Sequence, residues 1–410
     1  MNAPEATVTS AALSAAWANY LATLDEMRVL TEATPRYRQN PQHRAKAYHT
    51  LMEMQAMAYN FAVAPRLSHP RIFTNSGWQT DMYCLGQNGQ DFYYGVIFVD
   101  GRQTYRMRGR MGDLSLFLIQ TLNGLFGEPG VKADGNYDLA DFKIEADGSF
   151  EVMLSPTPQP GNWVKLDDKA NYQFIILRRA LTDWQGDKGD LEIKRVNPLP
   201  DNYYDADEFD EAAMAARINR ASQFLRYVTN DFNINLYEWY LSNGSRQKNT
   251  LTLLPGTKTS EVGSPSANYA MAIFELAEDE ALIISMDKVP DGAYWSIQIG
   301  DVWSRSLNYS TRHSSLNNAE VTADASGGFH AVISQQDPGV GNWLDTCGRL
   351  EGTIVFRNYR ATCAPVPSSR KVKFSELNTQ LPKDMKRITP AERQARIEYR
   401  HRGQLMMYGE

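Results

Sequence analysis

The sequence predicts a protein that is mainly β with flanking α-helices, built as two related β-sandwich or jelly-roll-like halves from an internal duplication. Short apolar runs separated by turn residues fill most of the chain between residues 70 and 360. Strands at this spacing favour a sandwich over alternating α/β units. A series of landmarks in the first half recurs in the second half, and helical periodicity is confined to the two ends and one central stretch.

The duplication rests on landmarks that recur in the same order at a nearly constant offset. They are Phe150, Trp163 and Ala180, matched by Phe329, Trp343 and Ala361 at separations of 179, 180 and 181 residues, and Gly112-Asp113, matched by Gly300-Asp301 at 188. Phe150 follows Gly-Ser and Phe329 follows Gly-Gly, and both tryptophans follow Gly-Asn. An offset this long indicates a duplicated domain and not a solenoid repeat.

The pattern of apolar, polar and charged residues divides the chain into five predicted segments. We expect an N-terminal helical region at 1–66, a first β half at 67–200, a helical connector at 201–245, a second β half at 246–366 and a basic helical tail at 367–410. The connector shows its helical texture from about residue 205 to 240.

Capping signals define three of the helices. Leu13, Trp17, Leu21 and Leu24 recur at helical spacing after a candidate N-cap, Ser10, and should form the face that covers the rest of the protein. A second helix should begin at Asn40-Pro41. Thr389-Pro390-Ala391-Glu392 reads as a capping box that opens the last helix, which we expect to be solvated and docked on an acidic body.

The clearest strand signals are apolar runs next to turn residues. One covers residues 93–99 before Asp100-Gly101, another covers 150–154 after Asp147-Gly148, and a third covers 172–177. Apolar runs of this length bounded by Asp-Gly turns are typical of hairpin strands.

Composition excludes several classes of function. The net charge of −6 argues against nucleic acid as a partner, because phosphate binding needs concentrated positive charge. Three scattered cysteines and six histidines without metal-ligand spacing predict no disulfide framework and no metal. The sequence contains no P-loop and no Gly-x-Gly-x-x-Gly motif after a strand, so we predict no organic cofactor. No stretch is apolar enough for a membrane span, and the first residues lack a secretory pattern, so we predict a cytoplasmic protein.

Several motifs resemble a known family. Gly341-Asn342-Trp343-Leu344-Asp345-Thr346, the run from Tyr105 to Asp113, the run from Tyr294 to Trp303 and the turn from Arg312 to Asn317 resemble the domain-of-unknown-function family numbered 1214, often found with a companion family numbered 1254. The resemblance covers residues 15 to 400 and implies a jelly-roll-like β-sandwich. It implies little about chemistry. Cys347 departs from the pattern, which has a small residue there.

The segment from Tyr294 to Asp345 holds the candidate site residues. We assign acid or base roles to His313, Asp345 and Asp301, and charge stabilisation to Arg312. Binding roles go to aromatic and polar side chains: Trp303, Tyr309, Trp343, Asn317, Gln298 and Arg108. On a strand, Trp295, Ile297 and Ile299 would face the core, opposite Gln298.

A structural reading competes with the functional one. The Gly-Asp and Gly-Asn-Trp motifs occur in both halves, and a duplicated motif more simply records a duplicated fold, with Asp and Asn bonding their own backbone. His313 has no counterpart in the first half, and Asp345 is replaced there by Lys165, so these two are the stronger functional candidates.

Arg102, Arg106, Arg108 and Arg110 alternate along the sequence, which predicts one positively charged strand face. Such a face must be solvated, paired with carboxylates or anion-binding. We expect salt bridges to the acidic segment 205–211, and keep an anionic-ligand site as the alternative.

The leading functional hypothesis is a cofactor-independent enzyme, a lyase or hydrolase, acting on a small apolar, aromatic or sugar-like compound. The alternatives are a non-catalytic β-sandwich module that binds carbohydrate or another small ligand, and a structural or assembly partner that docks through the basic tail. The expected partner is a small molecule and neither nucleic acid nor membrane, and an oligomer stays open.

Overall fold

The computed structural model describes residues 10–74, 86–199, 203, 208–242, 247–255, 264, 266–362 and 365–408. It shows two β-sandwiches with helices covering one side of the first and a C-terminal helix on the second. Cys84 and Cys363 lie outside the described residues.

The N-terminal region is helical, with α1 at Ala11–Ala33, α2 at Pro35–Gln39, α3 at Pro41–Ala58 and a π-helical turn at Tyr59–Val63. The side chain of Ser10 accepts a hydrogen bond from the Leu13 amide, and Asn40 caps α3 before its first residue, Pro41, as the sequence predicts. Because caps depend on local geometry alone, they are readable from sequence.

The buried face of α1 differs from the predicted one. Trp17 and Leu21 are about half exposed, whereas Ala16, Thr23 and Met27 are buried. The helix packs along the connector through Ala16, which touches Ala215 and Ile218. A close helix–helix contact favours small side chains, so the large apolar residues on the neighbouring stripe remain at the surface.

The first half contains two four-stranded sheets. Sheet order is β1-β7-β3-β4 and β6-β5-β2-β8. The strands are β1 Phe92–Val99, β2 Tyr105–Arg110, β3 Leu116–Leu122, β4 Ala133–Asp138, β5 Ser149–Ser155, β6 Trp163–Lys165, β7 Gln173–Ala180 and β8 Asp190–Arg195. Their facing sides form a core that includes Ile97, Met107 and Leu177.

The second half repeats this topology with one added strand. Sheet order is β13-β12-β16-β10-β9 and β15-β14-β11-β17. The strands are β9 Thr252–Leu253, β10 Ala267–Glu275, β11 Glu280–Met286, β12 Tyr294–Gly300, β13 Ser315–Asn317, β14 Phe329–Ser334, β15 Trp343–Asp345, β16 Glu351–Tyr359 and β17 Ser368–Lys373. As predicted, Trp295, Ile297 and Ile299 face the sandwich core.

The two halves match strand for strand, which confirms the duplicated β fold. In each half the strand pair that carries the Phe and Trp landmarks is parallel: β5 with β6, and β14 with β15. One landmark was paired incorrectly, because Gly112-Asp113 follows β2 whereas Gly300-Asp301 closes β12, the counterpart of β3. The separation of 188 residues between these two Gly-Asp pairs also differs from the 179 to 181 residues that separate the other landmarks.

Helices complete the fold. The connector forms α4 at Glu211–Arg226, a π-helical stretch at Tyr227–Asn235 and α5 at Leu236–Ser242. The C-terminal segment forms α6 at Leu377–Gln380 and α7 at Pro390–Tyr408. Thr389 and Glu392 bond each other's backbone amides, the predicted capping box. No helix in the described ranges is long and apolar enough to cross a membrane.

The sandwiches meet through the outer faces of the sheets that contain β7 and β16. We call this interface the seam. Phe92, Leu118 and Ala180 from the first half contact Tyr294 and Tyr359 from the second. The seam also buries polar side chains, among them Arg178 and Arg357, so it is a mixed interface and not a uniform hydrophobic layer.

Candidate functional site

A groove of about 360 Å³ lies where the first half, the second half and α7 meet. It is lined by Thr182, Asp183, Trp184, His313, Ala319, Glu320, Arg396, Tyr399 and Arg400. Its volume is in the range of small-molecule sites. We call it the His313 groove.

His313 is held in one orientation. Its Nδ1 lies 2.6 Å from the backbone carbonyl oxygen of Trp343, and its backbone carbonyl accepts a 2.8 Å hydrogen bond from the Asp345 amide. A carbonyl oxygen only accepts, so Nδ1 carries the proton and Nε2 has the lone pair. Burial, helped by nearby arginines, lowers the pKa of His313 well below 6.5, which keeps the ring neutral.

Two arginines of α7, Arg396 and Arg400, line the groove together with two carboxylates, Asp183 and Glu320. Arg400 is buried, bonds Glu320 at 2.9 Å and the Ser315 carbonyl at 2.9 Å, and covers the Trp184 ring at 4.5 Å. Among the described residues, Arg396 has one hydrogen-bond partner, the Gly341 carbonyl, which lies 3.1 Å from Nη1. Its remaining N–H donors are therefore available to an anion in the groove.

Beneath the groove, Asp91 joins both halves. Its carboxylate is fully buried and accepts four hydrogen bonds, from Trp184 at 2.8 Å, Asn317 at 2.7 Å, Tyr294 at 2.6 Å and Gln90 at 2.9 Å. Burial raises the pKa of Asp91, and the hydrogen bonds from Tyr294, Asn317 and Trp184, with the charge of Arg400, oppose that rise by stabilising the ionised form. Asp91 thus fixes groove residues and the seam at once.

Glu320 completes the charge arrangement. Its Oε2 accepts a hydrogen bond from the Asn317 amide, and its Oε1 pairs with Arg400. Burial, with a smaller effect from the Asp91 carboxylate, raises the pKa of Glu320 despite that pairing. Titratable groups with shifted pKa values that converge on a concave surface indicate a functional site.

Asp345 and Arg312 pair with each other outside the groove lining. Arg312 Nη2 lies 2.5 Å from Asp345 Oδ2, and the other Asp345 oxygen accepts from the Cys347 amide at 2.7 Å. Burial raises the pKa of Asp345, opposed by these two contacts. The Asp345 side chain is buried and the Arg312 side chain is half exposed. Their catalytic roles stay predictions.

Asp301 and Trp303 occupy a different place, under the N-terminal helices. Asp301 Oδ1 accepts from the amides of Trp303 and Arg305, which is the turn-capping arrangement of the structural reading. The Trp303 indole donates to the His43 carbonyl at 3.0 Å, and the Arg36 guanidinium lies 4.4 Å from the ring centre. Both residues line a second cavity of about 270 Å³ beside Cys347.

The other predicted binding residues are buried and bonded within the chain. Tyr309 accepts from Asn88 at 3.3 Å and meets Trp184 edge-on, and Gln298 donates to the carbonyls of Gln87 and Asn88. Asn317 bonds Asp91 and the Thr182 carbonyl. Since Trp303, Tyr309 and Trp343 are only 1, 2 and 6% exposed, they form no open aromatic platform.

The Gly-Asn-Trp motif makes the same contacts in both halves. Asn162 bonds the backbone of Lys143 and Glu151, and Asn342 bonds the equivalent backbone of Thr322 and His330. The indoles of Trp163 and Trp343 donate to carbonyls at the ends of β5 and β14. This equivalence supports the structural reading of the motif.

The arginine face of β2 has different partners from those expected. Arg108 pairs with Glu151 at 2.5 Å, and Arg110 pairs with Asp187 at 2.6 Å and Asp190 at 3.5 Å. Of the acidic segment 205–211 the structure describes only 208–211, and no carboxylate in that part pairs with these arginines. Arg102 lies in the turn before β2 and pairs with Asp100. Carboxylates on or next to the neighbouring strands lie closer to these arginines than the connector does. Arg108 therefore lines a surface hollow of paired charges and does not belong to the His313 groove.

Of the predicted site residues, the structure places His313 in the groove. Trp343 contacts His313, and Asn317 and Tyr309 contact the groove residues Thr182 and Trp184. Sequence reasoning missed Asp91, Trp184, Glu320, Arg396 and Arg400. Asp91 sits in a polar loop without a motif, and α7 is remote in sequence, so only the basic bias of the tail hinted at it. Among the described residues, no three His, Cys, Asp or Glu side chains converge as a metal-binding set.

Fold and groove together define an internally duplicated β-sandwich protein with a polar groove where its two halves meet a C-terminal helix. Two regions of the chain, residues 99–181 and 275–363, match the family described as "Protein of unknown function (DUF1214)". One of the two matching regions lies in each sandwich, so each half is similar to this family. The expected companion family 1254 stays a prediction.

Solved structures provide a second comparison. An uncharacterized protein from Burkholderia cenocepacia is similar with a TM-score of 0.77 and 29% identity, over 89% of this chain and 99% of that one. The VPA0106 protein from Vibrio parahaemolyticus has a TM-score of 0.47 at 12% identity, over 79% of this chain and 98% of that one. A search of curated proteins found no match.

Proposed function

We propose that the His313 groove is an active site for acid/base chemistry on a small anionic compound, with His313 as the base. One observation carries the proposal: Nδ1–H of a neutral His313 is bound to the Trp343 carbonyl, and the residue lines a groove with its basic Nε2 unbonded by any described residue. Fixing one ring nitrogen orients the other for proton transfer.

The charges around His313 fit an anionic substrate. Arg396 has spare donors to hold a carboxylate or similar group, and Arg400 is fixed by Glu320 and Ser315. Proton removal builds negative charge on the substrate, which both guanidinium groups stabilise. In a lyase the proton would leave a carbon next to the anionic group; in a hydrolase His313 would take it from a water molecule.

Hydrogen exchange tests the proposal without knowledge of the full reaction. The protein is incubated in deuterated water with a panel of 2-oxo, 3-oxo and 3-hydroxy carboxylic acids, and loss of the acidic C–H signal is followed by NMR. Amide and water-activating substrates in the same panel report hydrolysis. We expect exchange or turnover of at least one compound, reduced about 100-fold or more by His313→Asn.

His313→Asn is informative because an asparagine amide can replace Nδ1–H at the Trp343 carbonyl while removing the base. The matched control is His330→Asn in the same half, where the histidine pairs with Asp324 at 2.8 Å and lies outside the groove. If His313→Asn keeps the wild-type rate, or if no compound reacts, the enzyme proposal fails.

Non-catalytic binding is the second candidate, favoured by one observation. The carboxylates of Asp345 and Asp301 already accept hydrogen bonds from backbone amides, so they do not project as free acids. Saturable binding in the groove without exchange or turnover would select this function. The assembly hypothesis has less support, because Arg393 and Arg400 of the basic tail are 5 and 3% exposed and bonded within the chain.

A further inference from the structure

A second feature, separate from the His313 groove, lies in the seam around Arg357. This arginine projects from β16 and is 5% exposed. Its Nη1 donates to Gln298 Oε1 at 3.0 Å and its Nη2 donates to the Gln87 carbonyl at 2.8 Å, while Nε is buried without a partner. No carboxylate of the described residues pairs with it.

Other buried arginines are compensated differently. Arg305 pairs with Glu53, Arg393 with Asp337 and Arg400 with Glu320, at 2.7 to 3.0 Å. Arg36 and Arg179 pair with no carboxylate in the part of the chain that the structure describes, but aromatic rings lie 4.2 to 4.4 Å from their guanidinium groups. The ring nearest Arg357, that of Tyr269, is 5.9 Å away, so cation–π stabilisation is weak there.

The surroundings of Arg357 add no negative charge. The ionisable groups that act on it are the phenols of Tyr94, Tyr269, Tyr294 and Tyr359, which are neutral at physiological pH. Arg178 faces the same seam from β7, and its one hydrogen bond to a described residue is that to Gln120 Oε1 at 2.6 Å. Like Arg357, it lowers the pKa of Tyr94 and Tyr359 through its charge. Two buried cations thus share an interface that has tyrosines and amides around them.

A cavity adjoins the uncompensated guanidinium. Arg357 lines a space of about 50 Å³ whose other walls are mostly apolar: Phe232, Leu236, Leu254, Tyr269, Met271 and Val355. Gly86, Gln87 and Ser304 complete it. A buried charge without a partner is strongly destabilising, and an anion that binds beside it relieves that cost.

We propose that this cavity binds a small organic acid, with its carboxylate on Arg357 and its short apolar body against Phe232, Met271 and Val355. The guanidinium provides the charged donor that a carboxylate requires, because Nη1 and Nη2 each keep one N–H that no described residue accepts. The apolar walls distinguish this ligand from an inorganic anion. The small volume restricts the body to a few carbon atoms.

A melting-temperature series on the full chain tests the site, with the sodium salts of formate, acetate, propionate and butyrate as probes. Sodium chloride at the same ionic strength is the baseline. We expect a rise of about 2 °C or more at saturation. Affinity should increase roughly threefold to fourfold for each added CH₂ until the cavity is full. Shifts no larger than those with chloride, for every acid, would overturn the proposal.

Two variants examine Arg357 directly. Arg357→Met removes an unpaired buried charge at similar volume, so the ligand-free protein should melt at the same or a higher temperature, and the carboxylate-induced rise should disappear. Gln298→Glu places a carboxylate at the position that now accepts from Arg357 Nη1 and should abolish the response to acids. Its second oxygen would face the carbonyls of Gln87 and Asn88, to which Gln298 now donates, so the melting temperature of this variant should fall. Wild-type responses in both variants would contradict the proposal.

Controls separate this site from general effects and from the groove. Arg179→Met removes another buried arginine without a carboxylate partner, but one that does not line the cavity, and should keep the response. His313→Asn should also keep it, because the two sites have no lining residue in common. Loss of the response in Arg179→Met as well as in Arg357→Met would show that the acids do not bind at Arg357.

Discussion

His313 Nδ1 lies 2.6 Å from the Trp343 carbonyl oxygen, a contact that connects the turn before β13 to the start of β15. The indole of Trp343 in turn donates to the Ser334 carbonyl and lies under the Arg393 guanidinium of α7. The imidazole is therefore positioned by the β-sandwich itself, and α7 closes the site above it.

The first prediction concerns the ionisation of His313. Burial lowers its folded-state pKa well below 6.5, so below pH 6.5 the unfolded chain binds a proton that the folded chain does not. The contribution of His313 to the free energy of unfolding should therefore fall as the pH is lowered from 6.5 towards the folded-state pKa. Below that pKa both states bind the proton, and the contribution should stay constant. In His313→Asn this component should be absent, which denaturant titrations at several pH values on both proteins would measure.

Nuclear magnetic resonance of ¹⁵N-labelled histidine checks the same prediction at atomic level. The His313 ring should show a protonated Nδ1 and an unprotonated Nε2 at neutral pH. A protonated Nε2 at neutral pH would contradict the assigned tautomer and the role of Nε2 as a base. A pKa at or above 6.5 would contradict the lowering by burial.

The second prediction concerns Asp91. Asp91→Asn keeps the shape but turns one acceptor oxygen into a donor that faces existing donors from Tyr294, Trp184, Asn317 and Gln90. We expect a loss of at least about 2 kcal/mol in the free energy of unfolding, measured by chemical denaturation. Glu145→Gln, at a pair with Lys143 in which the side chains are 58 and 78% exposed, is the control and should cost about 1 kcal/mol or less. Equal small costs would show that Asp91 does not hold the halves together.

The third prediction uses the duplication as its own control. Asn342→Ala and Asn162→Ala each remove three hydrogen bonds to backbone groups at equivalent positions. Asn342 is 3% exposed, whereas Asn162 is partly exposed and water can replace its contacts. Denaturation should show a cost of about 2–3 kcal/mol for Asn342→Ala and about 1 kcal/mol for Asn162→Ala. Destabilisation by neither variant would contradict the structural role of the Gly-Asn-Trp motif.

The fourth prediction concerns Arg396. Because its Nη1 already bonds the Gly341 carbonyl and its other donors have no described partner, Arg396→Gln should leave stability within about 0.5 kcal/mol. It should weaken substrate binding in the groove, seen as a KM raised about tenfold or more, since a charge-assisted contact is lost. An unchanged KM would place the anionic group of the substrate elsewhere.

Local and repetitive features were readable from the sequence, and long-range ones were not. The caps at Ser10, Asn40 and Thr389 depend on three or four neighbouring residues, and the duplication appears as repeated landmarks. The buried face of α1 depends on how closely α4 approaches, so Trp17 and Leu21 were misplaced.

The groove was only partly predictable for the same reason. His313 stood out because the first half has no counterpart, but its neighbours come from the end of the first half and from α7. Asp91 carries no motif and gains its role only through donors about 90 to 230 residues away along the chain, as well as its neighbour Gln90. Pairing that depends on tertiary contact leaves no periodic trace in a single sequence.

The most direct test of the central claim is the rate of substrate C–H exchange in deuterated water for wild type, His313→Asn and His330→Asn at neutral pH. If His313 is the base, wild type and His330→Asn exchange a small carboxylic acid at similar rates, and His313→Asn is slower by about 100-fold or more. If His313→Asn exchanges as fast as wild type while remaining folded, His313 is not the base and the groove is not the active site proposed.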